Sequence, residues 1–246
     1  MLTDALLGVA DDGRIAFLLD LSSGCEDVIS AAQKEHGFDG SLIQRLAPEE
    51  VLVPGMVDTH IHASQYSYTG TGYELPLLQW LETYTFPAES LLSDEEKARE
   101  VYEKVVKRTL KCGTTSAVYF ATISTKSTEL LADVVKELGQ RALVGKVNMD
   151  RNSPDFYVET TEKSVDDTLE FVEYVEKLTA GDAGKMLVQP VITPRFVPTC
   201  SSELMTKLGD LAKEKNLHIQ SHISENPDEV HDTHIAAQCS PITLLL

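Results

Sequence analysis

From residue 56 onward the chain alternates short apolar runs with longer amphipathic stretches, and few folds accommodate that order. The runs at 57–61, 114–120, 142–149, 186–193 and 217–223 read as strands. Between the first two, Ser93-Asp94-Glu95-Glu96 reads as a capping box, in which a small polar side chain satisfies the first free N–H groups of a helix. Val101, Tyr102, Val105, Val106 and Leu110 follow at helical spacing, and Gly113 ends the stripe where a positive φ is wanted. Leu130, Leu131, Val134, Val135 and Leu138, closed by Gly139, make a second stripe. Leu169, Val172, Val175 and Leu178 make a third near Gly181, and Leu204, Leu208 and Leu211, stopped at Asn216, a fourth. Such alternation predicts an α/β fold: a parallel sheet covered by helices, with its chemistry at the C-terminal ends of the strands.

Five strands between residues 57 and 223 give each unit about 40 residues, and a closed eight-stranded barrel needs three further units, roughly 100 residues. The sequence stops at residue 246, too soon after Glu225 to hold them. The expectation is a partial (β/α)8 TIM-type barrel of about five βα units over residues 54–226. A small β-rich segment over 1–53 precedes it, with a hairpin turning at Asp11-Asp12-Gly13, and a divergent tail over 227–246 follows.

Charge narrows the list of partners. The 246 residues carry 21 Lys+Arg against 39 Asp+Glu, a net charge of −18. Nucleic acid and anionic membrane surfaces would be repelled. No run approaches the roughly 18 apolar residues of a membrane span, and the N-terminus lacks the basic start of a signal peptide. Cys25, Cys112, Cys200 and Cys239 lie far apart with no C-x-x-C pair, which excludes zinc-finger spacing and suits free thiols in the cytosol.

The chemistry sits in Asp58-Thr59-His60-Ile61-His62. Residues two apart on a strand share a face, with Cα atoms about 6–7 Å apart, so His60 and His62 can reach one metal ion from the end of the first barrel strand. Imidazole suits zinc, iron or nickel. An H-x-H alone is unspecific; this one ends a strand and is matched by a later strand-end histidine. In 217–226, Leu217, Ile219 and Ile223 are expected to face the helices, and His218, Gln220 and His222 the barrel interior. His222, nearest the strand's C-terminal end, is the third expected ligand. His218 lies lower and is expected to be a hydrogen-bonded packing residue. Glu225, three residues beyond His222, is placed to touch metal-bound water. Histidine-held zinc lowers the pKa of its water to about 7, and a neighbouring carboxylate can pass that proton to a ring nitrogen or leaving group. The chemistry implied is hydrolytic attack on an electron-poor carbon.

Pro54-Gly55-Met56-Val57-Asp58-Thr59-His60-Ile61-His62-Ala63-Ser64-Gln65-Tyr66 resembles the opening strand of the amidohydrolase superfamily, specifically its guanine-deaminating branch. Leu75-Pro76-Leu77-Leu78-Gln79-Trp80, Tyr84-Thr85-Phe86-Pro87-Ala88-Glu89, Gly113-Thr114-Thr115 and Tyr119-Phe120-Ala121-Thr122 are similar too. So are Thr193-Pro194-Arg195-Phe196 and Gln220-Ser221-His222-Ile223-Ser224-Glu225-Asn226.

The resemblance implies guanine as a small-molecule substrate, converted with water to xanthine and ammonia. It implies one zinc ion on His60, His62 and His222, Glu225 as proton shuttle, and base-binding roles for His62, Gln65, Arg195 and Phe196. Gln and Arg present donors that match guanine's acceptors, and Phe196 a face for stacking. It further implies a homodimer for the full-length form, and a small β-sandwich domain of which 1–53 is part. Lys146 lies inside the third strand, so no lysine is expected to bridge two metals. The family's histidine on the sixth strand and aspartate on the eighth have no counterpart here, so this chain alone is expected to bind zinc weakly and turn over little. His231, His234 and Cys239 in the tail are not expected to form a metal site. The alternatives are an amidohydrolase acting on another aminated ring and a non-catalytic shortened product.

Overall fold

The computed structural model describes residues 4–11, 13–22, 24–182, 186–227 and 229. The chain divides into two compact units, Met1–Pro54 and Gly55–Leu246. In the first, β1 (Ala5–Val9) pairs antiparallel with β2 (Ile15–Asp20), the expected hairpin, and Gly13 takes a φ of 80° in its turn. The β-rich reading of 1–53 omits a helix, α1 (Cys25–His36). Its signals are local. Glu26 and Asp27 complement the N-terminal end of the helix dipole, Lys34 and His36 the C-terminal end, and Gly37 closes it at φ 69°.

The second unit opens with β3 (Met56–His62). The helices α2 (Leu77–Trp80) and α3 (Phe86–Ser90), joined by a π-turn at Leu81–Thr85, lead into α4 (Glu95–Lys111). Then come β4 (Thr114–Phe120), α5 (Thr125–Leu138), β5 (Arg141–Gly145), β6 (Val147–Asn148) and α6 (Thr161–Thr179). The series continues through β7 (Val188–Pro190), β8 (Thr193–Pro194) and α7 (Ser202–Lys215). Strands β3, β4, β5 and β7 form one parallel sheet in that order, and β6 pairs parallel with β8. This is a TIM-barrel-like α/β arrangement. The expected strand at 217–223 is reduced to two parallel bridges, Ile192 to Ile219 and Phe196 to His222.

Asp94, not Ser93, caps α4: its carboxylate accepts from the N–H groups of Glu96 (3.1 Å) and Lys97 (3.2 Å). Ser93 donates instead to the Ser90 carbonyl. The apolar stripes of α4 and α5, with Phe171 and Val175 of α6, bury against Ala117, Tyr119, Ala142, Val144 and Val188 of the sheet. Leu204 and Leu208 of α7 close a second cluster with Val172 and Ile192. Ile219 and Ile223, expected to face helices, are 54% and 60% exposed, and His218, expected to pack, is exposed as well. They occupy the last strand position, and no described element covers that edge. No described helix is long and apolar enough to cross a membrane.

Inside the curve of the sheet, Gln220 Nε2 donates to the Tyr119 carbonyl and to Thr193 Oγ1, both at 3.0 Å. Gly145 makes room for this. A Cβ there would lie 1.8 Å from Thr193 Oγ1 and 2.8 Å from Gln220 Nε2. Gly145→Ala should therefore destabilise the unit by about 1–3 kcal/mol, the usual cost of overpacking a filled interior. Urea unfolding measures it, and an unchanged midpoint would contradict this account of the interior.

Candidate active site

Because the strands run parallel, the end of β3 and the last strand position meet on one side of the sheet. His62 Nε2 and His222 Nε2 lie 2.9 Å apart, and one ligand atom from each of His60, His62 and His222 lies within 4.8 Å of the others. Phe120, at the end of β4, is a common neighbour, its ring centroid 4.9 Å from His60 and 4.6 Å from both His62 and His222. Nδ1 of His222 lies 2.6 Å from the Arg195 carbonyl oxygen. A carbonyl only accepts, so Nδ1 carries the hydrogen and Nε2 turns a lone pair toward His62.

Burial lowers the pKa of all three rings. It holds His62 well below the ordinary value, with the charges of Arg195, His222 and His60 adding to the effect. It brings His222 to about 4, the bond to the Arg195 carbonyl acting the other way, and it lowers His60 against the pull of Asp58. The rings are neutral at physiological pH, with lone pairs converging. Nδ1 of His62 is buried without a hydrogen-bond partner, so the cluster does not satisfy itself. An all-imidazole donor set of this kind fits zinc, iron or nickel.

A cavity of about 350 Å³ opens above the histidines. Gln65, Arg195, Phe196 and Glu225 line it together with His60, His62 and His222, so every site residue expected from sequence borders the same space. Tyr73, Leu75, Leu77, Trp80 and Leu81 form its apolar wall. Phe196 is buried, and its ring meets that of His222 edge-on at 6.4 Å. Glu225 sits at the rim, its loop fixed by the Glu229 carboxylate, which accepts the N–H groups of Ser224 (3.0 Å) and Glu225 (2.6 Å). Burial and the neighbouring Glu229 raise the pKa of Glu225, with Arg195 opposing.

Sequence reasoning missed three things here. Phe120 gave no signal beyond a strand-end aromatic. Of the apolar wall, Leu75, Leu77 and Trp80 fall in the stretch similar to the family, while Tyr73 and Leu81 carry no signal in the sequence. Glu89, a carboxylate in an apolar helical stretch, grips Arg195 through both oxygens, at 2.8 and 3.3 Å. Lys146 is bound to both oxygens of Glu159 and is committed there. His231, His234 and Cys239 lie outside the described residues.

Residues 51–243 match the Amidohydrolase family, including the part of the chain after 226 that the sequence alone sets apart as divergent. Guanine deaminase of Homo sapiens is 51% identical over 233 residues, 94% of this chain and 49% of that protein. Guanine deaminase of Dictyostelium discoideum is 46% identical over 236 residues, 94% of this chain and 51% of that protein. The solved structure of guanine deaminase from C. acetobutylicum, with guanine bound in its active site, superposes with a TM-score of 0.79 at 35% identity. It covers 97% of this chain and 52% of that one. The chain thus spans about half the length of the curated relatives it matches. Similarity that reaches from the first barrel strand past the last histidine leaves one assignment: the chain belongs to the amidohydrolase family.

Proposed function

We propose that the protein deaminates guanine hydrolytically to xanthine and ammonia, at a centre of one zinc ion held by His60, His62 and His222. What carries this reading is the convergence of three neutral imidazoles at the foot of a cavity that also holds Gln65, Arg195, Phe196 and Glu225. Similarity to guanine deaminases, one of them solved with guanine in place, supports the substrate. The family is typically metal-dependent, and zinc suits a hydrolysis that moves no electrons. One ion, not two, is supported by Lys146, whose amine is taken by Glu159. Residues 54–226 are read as the barrel portion, 1–53 as part of a small β-sandwich domain and 227–246 as a tail. Separated cysteines support a cytosolic location; the resemblance alone supports a homodimer.

Bound zinc would act as a Lewis acid and bring the pKa of water to about 7. The chain's own groups do the rest. Gln65 and the guanidinium of Arg195 donate to the carbonyl and ring-nitrogen acceptors of the base, with His62 and Phe196 against its ring. Trp80, Leu77 and Leu81 keep bulk water away. Glu225 takes a proton from the attacking water and gives it to the ring nitrogen beside the amino-bearing carbon. The remaining hydroxyl proton of the adduct then passes, again by way of Glu225, to the amine; the new carbonyl forms as the carbon–nitrogen bond breaks, and the amine leaves as ammonia. A carboxyl whose pKa is raised is suited to holding that proton between the two transfers.

Two variants test the assignment. His222→Ala should lower zinc content, measured by elemental analysis, about tenfold or more at unchanged helix content by circular dichroism. Glu225→Gln should keep its zinc and lose about 10²–10⁴-fold in kcat for xanthine formation. Faster release of ammonia from adenine than from guanine, or full activity in Glu225→Gln, would sink the proposal.

A further inference from the structure

We infer that Glu89 sets the charge selectivity of this site: by closing an ion pair on Arg195, it lets the pocket offer the guanidinium's hydrogen bonds without its net charge. The inference rests on the guanine reading and deepens it. The site takes uncharged, carbonyl-bearing aminated rings and rejects anionic ones.

Glu89 stands on α3 and is 1% exposed; Arg195 is 2% exposed. Four donors converge on the two carboxylate oxygens. Oε2 receives Arg195 Nη1 at 2.8 Å and the Tyr157 hydroxyl at 2.7 Å, while Oε1 receives Arg195 Nη2 at 3.3 Å and Ser64 Oγ at 3.2 Å. Burial, and then the charge of Glu89, pushes the Tyr157 phenol far above its ordinary pKa, so it remains a donor. Burial works against a charged guanidinium at Arg195. The attraction of Glu89 and its hydrogen bonds outweigh this, and the Arg195 pKa stands above its ordinary value. The Phe86 ring lies 5.2 Å from the guanidinium carbon.

Arginine recognises carboxylates and phosphates by turning a two-pronged fork of N–H groups on them. Here Glu89 already occupies a fork. Arg195 lines the cavity, whereas Glu89 does not, so the carboxylate compensates the charge from behind. A neutral carbonyl or ring nitrogen can accept from the remaining N–H groups at no electrostatic cost. An anionic ring would meet a compensated cation backed by a buried carboxylate.

Trp80 is the only tryptophan and lines the cavity, so its fluorescence reports occupancy without turnover. Guanine and urate, a purine monoanion at neutral pH, are the two probes. The wild-type chain should bind guanine at least about tenfold more tightly than urate, the size of one charged hydrogen bond. Glu89→Gln, similar in shape but uncharged, should weaken guanine and tighten urate, shrinking or inverting that ratio by about tenfold or more. Glu89→Asp keeps the charge and should restore the wild-type order. Tyr157→Phe removes one donor to Glu89 but leaves both charges of the pair in place, so it should keep the wild-type order, and the wild-type ratio itself keeps the test open if Glu89→Gln fails to fold. A purely structural Glu89 would lower both affinities together, and either an unchanged guanine-to-urate ratio in Glu89→Gln or a wild-type chain that binds urate as tightly as guanine would overturn the inference. Failure of the wild-type chain to bind guanine at all would instead remove the functional reading beneath it.

Discussion

Strand direction is the constraint on which this site depends. Every ladder among the described residues of the second unit is parallel, so each of these strands delivers its last residues to the same side of the sheet. That is how His62 and His222, 160 residues apart, come to face each other across 2.9 Å. Direction alone is not enough, because side chains alternate faces and a one-residue slip would turn His222 away. The register is pinned twice. The Arg195 carbonyl takes the His222 backbone N–H at 3.0 Å as well as its ring, and Gln220 is tied to Tyr119 and Thr193 one layer below. The same backbone that continues the ladder therefore also sets the tautomer of the imidazole.

Much of this was legible in the sequence because period and punctuation carry it. The apolar stripes of α4 to α7 and the stops at Gly113, Gly139 and Asn216 all stand in the structure, the three stops at φ 90°, 75° and 52°. The strand-end histidines followed from period two and parallel order. What escaped was whatever depends on a neighbour distant in sequence. The third strand breaks at Lys146, whose side chain turns to Glu159, and the fourth breaks after Pro190, which has no N–H to give. Glu89 looked like one more carboxylate in an acidic chain, since its partner stands 106 residues away. Ile219 and Ile223 were misplaced because period two assigns faces but says nothing of whether a face is covered. The α1 helix is a different case: its closing glycine and end charges are readable, but no capping side chain marks its start and only Ile29 and Ala32 are buried along it.

The two buried ion pairs among the described residues show why position in the fold, and not burial alone, decides what a charge is for. Lys146 and Glu159 are both enclosed, and burial dominates each, lowering the pKa of the amine and raising that of the acid. Neither borders the cavity, and the pair closes on itself beside a break in the third strand. Such a pair is weak support for stability, since an apolar replacement of the same volume often does as well. Arg195 and Glu89 differ because one partner borders the cavity while the other is buried behind it. Tyr157 and Ser64 satisfy the carboxylate's remaining lone pairs, so its charge stays localised and hydrogen-bonded at little cost to the surrounding core. An apolar pair in this place could fill the volume, but it would leave the pocket with no donor aimed at a ligand. A lone arginine would supply the donors and add a field that draws anions and repels any cation bound among the three imidazoles. Pairing it with a carboxylate keeps the hydrogen bonds and removes the field, as the proposed site for a metal cation and an uncharged base requires.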